Sequence, residues 1–257
     1  MKTMIDSHIH LDHYRDEEIQ EIISSSPSIQ SIISVSYDLE SAKRNLLLSE
    51  KFSKVQPAFG YHPEQQLPNE KELAKLITWI ESHKDNMVAI GEVGLPYYLR
   101  METADPSFPL QGYIELLETF TILTKKWAKP IVLHAVYDDA PIVCDLLEKH
   151  SIEKAHFHWF KGDSKTVERL IKNGYFISFT PDIVYEDEIQ EIAKVFPIDQ
   201  VMVETDGPWP FDGPFQGLVT HPQMMNETVG MISKLKRLPK QEVYRQLLAN
   251  TQSFYSL

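Results

Sequence analysis

Eight short β-rich runs alternate with amphipathic helical stretches along the whole chain, and that alternation limits the fold more than any other feature. The runs are MIDSHIHL, SIISVS, VQPAFGYH, MVAIGEVG, PIVLHAV, KAHFHWF, YFISFTP and VMVETDGP. The stretches between them, such as NEKELAKLITWIESHK and SKTVERLIKNG, carry apolar residues three and four positions apart, the spacing of one helix face. Strands alternating with helices imply βαβ units and a parallel sheet. Eight such units in 257 residues predict an α/β protein with a closed (β/α)8 TIM barrel. An open doubly wound sheet would carry a glycine-rich phosphate loop after an early strand, and the sequence has none. No linker, low-complexity tract or repeat interrupts the pattern, so residues 1–257 read as a single domain. The Pro/Gly-rich segment DGPWPFDGPFQG (206–217) follows the eighth run and reads as a functional barrel loop.

Composition removes several function classes. A hydrophobic content of 42% and a charged content of 24% are those of an ordinary globular protein. The single cysteine, Cys144, excludes an intramolecular disulfide framework and reads as a buried filler. No apolar run approaches the ~20 residues that span a bilayer, and the first residues do not resemble a signal peptide. A cytoplasmic protein without a membrane partner is expected. The net charge of −12 argues against a general polyanion-binding surface. Phosphate can still be bound locally where cations supply the positive charge.

Polar residues gather where barrel enzymes build their sites, at the carboxyl ends of the strands. His8 and His10 close the first run, His62 the third, and Glu92 lies near the end of the fourth. His134 closes the fifth, His158 is late in the sixth, and Asp206 ends the eighth. Asp6, His8 and His10 recur at period two, so in a regular strand all three project from one face. Taken singly, each is ambiguous: His134 alone reads as a hydrogen-bonded core residue, and Asp206 before Gly-Pro as a turn residue. Their convergence on one rim is harder to explain without a compensating charge, because unpaired buried ionisable groups are costly. A pair of divalent cations would compensate all of them. Imidazole and carboxylate without thiolate suit zinc, manganese, iron(II) or magnesium. Glu92, central in strand order, is the candidate bridge between two ions, and Asp206 the candidate ligand and proton acceptor. The expected ligands are thus His8, His10, Glu92, His134, His158 and Asp206, with Asp206 and Glu92 catalytic, and up to two ions (Mg, Mn or Zn) per chain.

SHIHLD, GYHP, GEVGL, IVLHA, HWFKG and ETDGP stand in the order and spacing of the TatD-type metal-dependent deoxyribonucleases of the amidohydrolase superfamily, which the whole chain resembles. The resemblance implies one ion at His8, His10 and Asp206, another at His134 and His158, and Glu92 between them. It also implies hydrolysis of phosphodiester bonds in DNA, often from an end, by a metal-activated water. The chain departs from the family pattern at three places. Pro96 follows GEVGL where the family has an acidic residue, and Val136 stands where an arginine lies two residues past the strand-five histidine. The loop PFDGPFQGLVTHPQ lacks the usual arginine and asparagine, and no lysine or arginine occurs between Lys194 and Lys234. Metal ligation is therefore supported better than DNA as substrate, since the usual phosphate-holding cations are absent. The expected substrate is still DNA or a small phosphodiester, with His62, Lys161 and Tyr97 as its candidate contacts. Tyr98 and Trp209 are further aromatic residues that could stack bases. His156 is expected in the core or behind a ligand, and Glu204 to hold a ligand or the barrel interior by hydrogen bonds. His13, His83 and His150 are expected on the surface, and the role of His221, whose loop borders the site, stays open. Two other readings compete: an amidohydrolase or lactonase acting on a small molecule, which the missing cations favour, and a metal-binding protein without turnover, which an intact ligand set disfavours.

Overall fold

The β-branched and aromatic runs form the expected strands. The computed structural model describes residues 2–103 and 105–257, and in it eight strands pair in parallel in chain order: β1 (Met4–Ile9), β2 (Ile29–Ser34), β3 (Val55–Phe59), β4 (Ala89–Gly94), β5 (Ile131–His134), β6 (Ala155–Phe157), β7 (Phe176–Phe179) and β8 (Val201–Val203). The amphipathic stretches become α1 (Asp16–Ser25), α2 (Leu39–Lys51), α3 (Glu70–His83), α5 (Leu110–Trp127), α6 (Asp139–Lys149), α7 (Ser164–Asn173), α8 (Asp187–Val195), α9 (Met225–Lys236) and α10 (Lys240–Tyr255), while a short α4 (Tyr97–Thr103) was not signalled by periodicity. Local chemistry sets the boundaries. Asn69 and Glu72 form a capping box that starts α3, Asp163 caps α7, and Gly174 ends α7 at φ 73°.

The ring closes at the β1–β8 seam through backbone and side chain together. Asp206 N donates to His8 O at 2.9 Å and His10 N to Gly207 O at 2.8 Å. Asp6 belongs to this seam and not to the site: its carboxylate accepts from Thr205 N (3.0 Å) and Thr205 Oγ1 (2.6 Å). A register shift between Asp6 and Ile9 breaks the period-two alternation, which corrects the expectation that Asp6 shares a face with both histidines.

Two apolar layers hold the barrel. Outward-facing residues such as Ile32, Phe59, Ile90 and Leu133 pack against the helices, each burial contributing about 1.5–3 kcal/mol. Ile5, Ile33, Ala58, Ala89, Val132 and Met202 form a second group, joined by Phe254 and Tyr255 of α10. Around the fourth strand backbones approach so closely that only glycine fits. A Cβ on Gly60 would stand 2.6 Å from Glu92 O, and one on Gly94 2.0 Å from His134 O. Among the described residues no helix is long and apolar enough to cross a membrane.

Candidate metal centre

Glu92 is fully buried on β4 and each of its oxygens faces a different set of imidazoles. Oε2 lies 3.0 Å from His8 Nε2 and 3.2 Å from His10 Nε2. Oε1 lies 3.3 Å from His62 Nε2, 2.9 Å from His134 Nδ1 and 2.8 Å from His158 Nε2. Asp206 joins the first set, its Oδ1 3.3 Å from His8 Nε2 and 3.6 Å from His10 Nε2. The sets touch where His8 and His158 stack with centroids 3.8 Å apart, and within the second set His134 Nδ1 is 3.2 Å from His158 Nε2. All six expected ligands therefore converge at one place, carried there by β1, β4, β5, the residue after β6 and the turn after β8. Asp206 sits in the left-handed region at φ 48°, which Asp tolerates better than most residues.

The residues fit a cation. Several atoms stand close without the alignment of a hydrogen bond: both His8 nitrogens, Glu92 Oε2, Asp206 Oδ1 and His158 Nδ1 are buried and have no hydrogen-bond partner. Neighbouring ligands of one cation, each bonded at ~2.0–2.2 Å, stand about 3 Å apart, which matches this arrangement. His8, His10 and Glu92 form one group able to hold an ion, and His62, Glu92 and His134 another. His62, expected beside substrate only, thus lies inside the carboxylate cluster as well as at its opening.

Electrostatics shows how dependent these groups are on one another. Burial and the His158 charge would lower His8, but Glu92 and Asp206 overcome them and lift it to about 9. Burial also opposes a charged His158, yet Glu92 and Glu204 push it well above its ordinary value. Burial raises Glu92, and the surrounding histidines more than reverse that, holding it well below the usual carboxylate range. His62 goes the other way: burial dominates and lowers it to about 4. Protons thus share out positive charge among imidazoles that a divalent ion would supply directly.

A second layer holds the first. Glu204 Oε1 lies 3.7 Å from His158 Nδ1 and accepts from Trp159 N at 2.7 Å. Behind it, Ser178 Oγ donates to Glu204, and His156 bridges Ser178 (2.6 Å) and Tyr255 OH (2.8 Å) inside the barrel. Glu64, on the loop after β3, has no counterpart among the expected residues. Its Oε1 is 3.0 Å from His134 Nε2, and its two oxygens accept from Tyr98 N (2.9 Å) and Leu99 N (2.6 Å), the first turn of α4. The signal available was position: Glu64 stands two residues past His62 in HPE.

Above the cluster opens a cavity of about 620 Å³. Tyr37, Tyr98, Trp159, Lys161 and Trp209 line it together with Glu64, Glu102 and several cluster residues. Lys161 is in the expected place. Tyr97 is not: it packs on Tyr137 (4.9 Å) under the Arg100 guanidinium (5.6 Å), away from the lining. Pro96 starts a helical turn there, and successive helical residues diverge by about 100°, so the turn that aims Tyr98 inward carries Tyr97 elsewhere. His221 accepts from Gln223 N and faces Ser25 Oγ at 3.1 Å, outside the cavity lining. His83 and His150, expected on the surface, are half-buried against Trp79 and Glu118.

The family model described as TatD related DNase matches residues 5–256. An uncharacterized metal-dependent hydrolase of Haemophilus influenzae is 42% identical over 255 residues, covering 99% of this chain and 100% of that protein. The human deoxyribonuclease TATDN3 is 26% identical over 251 residues, covering 93% of this chain and 90% of that protein. The crystal structure of YjjV, a TatD homologue from Escherichia coli, has a TM-score of 0.83 at 24% identity and covers 100% of both chains.

Proposed function

The chain belongs to the TatD-related DNase family of metal-dependent hydrolases, and on that premise we propose that it hydrolyses phosphodiester bonds at the ends of DNA with up to two divalent ions (Mg, Mn or Zn). The division of the Glu92 carboxylate carries this reading, with one oxygen toward His8 and His10 and the other toward His62, His134 and His158. A carboxylate shared in this way would suit a site for two divalent ions. His8, His10 and Asp206 would hold one ion, His134 and His158 the other, and Glu92 both. Bound divalent ions supply Lewis acidity toward the phosphoryl oxygens and bring the pKa of water near neutrality.

The protein's own groups do the rest. Asp206, buried and with Oδ1 unpartnered, would accept the proton of the attacking water. Glu204 and Glu64 fix the orientation of His158 and His134. Lys161 offers a positive charge to the phosphate at the cavity opening. The apolar, cation-poor lining favours one second reading, hydrolysis of an ester or lactone in a small molecule.

End-labelled single-stranded DNA and a panel of carboxyl esters and lactones, given to metal-loaded protein, separate the two. Release of mononucleotides, abolished by chelation and by Glu92→Gln, is the expected result. Ester or lactone turnover with no nucleotide release would transfer the assignment to the second reading.

A further inference from the structure

Trp159 follows His158 directly and is held unusually firmly for a residue at the edge of a cavity. Its backbone N–H is tied to Glu204 (2.7 Å) and its indole Nε1 donates to Asp182 Oδ2 at 2.6 Å. Its φ of 39° is a conformation that bulky residues rarely adopt, and such backbone is found where the surroundings impose it. Lys161 Nζ lies over the indole, 4.9 Å from its centroid, and among the described residues no carboxylate pairs with it. A part-exposed cation–π contact is weaker than a charge-assisted hydrogen bond to phosphate. An incoming phosphate would therefore draw Nζ off the ring and uncover an aromatic face.

We propose that Trp159 and Lys161 form a subsite for one nucleotide unit, in which Lys161 takes the phosphate and the indole stacks on the base. The proposal rests on the phosphodiesterase reading above and narrows its substrate. A cavity of about 620 Å³ suits a ligand of nucleotide size. Glu64 and Glu102 on the same lining disfavour further phosphates, as does the loop after β8, which carries no lysine or arginine. The grip is then on a terminal nucleotide, and longer strands or duplexes gain little from their extra charge.

The test is calorimetric binding of thymidine monophosphate, inorganic phosphate and a short DNA duplex to metal-loaded wild type, Trp159→Leu, Trp159→Phe and Lys161→Met. Wild type should bind thymidine monophosphate roughly 5- to 150-fold tighter than phosphate, the range of one base on one aromatic side chain. Trp159→Leu should bring that ratio to about one, Trp159→Phe should keep part of it, and Lys161→Met should weaken both ligands. The duplex should bind no tighter than the nucleotide. Equal wild-type affinity for nucleotide and phosphate, or a ratio untouched in folded Trp159→Leu, would overturn the subsite. Nucleotide preference without DNA cleavage would instead sink the phosphodiesterase reading and leave the subsite standing.

Discussion

The bottom of the site and its mouth are built by opposite rules. At the bottom, Glu92, His8, His10, His158 and Asp206 are no more than 3% exposed and come from strand ends or the residues just past them. At the mouth, Tyr98 and Trp209 are 37% and 47% exposed and stand on α4 and the loop after β8. Burial leaves the lower groups few partners beyond one another and their close neighbours His62, His134 and Glu204, so each charge bears on the next. Water relaxes that constraint above, where residues can vary while the barrel stands. The three departures from the family pattern, at Pro96, Val136 and the loop after β8, all lie past strand ends, whereas the six expected ligands are all present. The contrast teaches that the bottom speaks for the reaction and the mouth for the substrate.

The hardest test of that division is at the bottom. Asp206→Asn keeps the shape and one oxygen but removes the proposed proton acceptor. Turnover should fall roughly 10²–10⁴-fold, the range for losing general-base assistance. Steady-state kinetics with elemental analysis of the same samples checks it. Near-normal turnover with metal still bound would move the base elsewhere.

Glu64 is where the two regions meet, since it caps α4 and orients His134 from the mouth side. A carboxylate at His134 Nε2 holds the proton there and leaves Nδ1 free to face Glu92. Glu64→Gln should lower metal affinity or turnover roughly 10–100-fold, as loss of an orienting carboxylate does. It should also speed amide exchange in the first turn of α4, because the two N–H groups are held by different oxygens and the NH2 that replaces one of them cannot accept. Faster exchange with unchanged metal affinity would make Glu64 a helix cap and nothing more.

The barrel and the convergence of the ligands were legible in the sequence because both follow from strand periodicity and from the rule that sites lie at strand ends. Glu64 and the Asp182–Trp159 bond were not, because they depend on which way loops fold back over the rim. Asp6 was misplaced because a register shift leaves no mark in composition. Tyr97 and Tyr98 could not be told apart without knowing that a helical turn begins at that point.

Removing metal should expose the proton-sharing at the bottom as a stability that depends on pH. His8 binds its proton more tightly folded than unfolded, so its contribution is present below about 6.5 and lost as pH rises toward about 9. Asp6, raised by burial to about 7 against an unfolded value of 3.8, acts with the same sign at lower pH. Glu92, held low, acts oppositely: its contribution is present above 4.5 and lost as pH falls further. Metal-free protein should therefore melt progressively earlier between about pH 6.5 and about pH 9. With metal bound the imidazoles are neutral ligands, so the decline should flatten. Parallel slopes for chelated and loaded protein in thermal melts would mean that the cluster does not exchange protons for metal.

The smallest effects should come from the two tyrosines that open α4, and they test whether the mouth has been drawn at the right residue. Tyr98 lines the cavity and meets His134 edge-on at 5.9 Å, so a substrate ring entering there touches it. Tyr97 packs against Tyr137 and Arg100, contacts that any ligand leaves undisturbed. Tyr98→Ala should raise KM roughly fivefold, the low end for losing one stacking partner, with little change in kcat. Tyr97→Ala should cost about 1 kcal/mol of packing, a melting shift of roughly 2–4 °C for a chain of this size, with KM unmoved. The pair is informative because the residues are adjacent and chemically identical, so only their direction differs. If Tyr97→Ala moves KM and Tyr98→Ala moves only the melting temperature, α4 turns the other way in solution and the boundary between mouth and scaffold shifts by one residue.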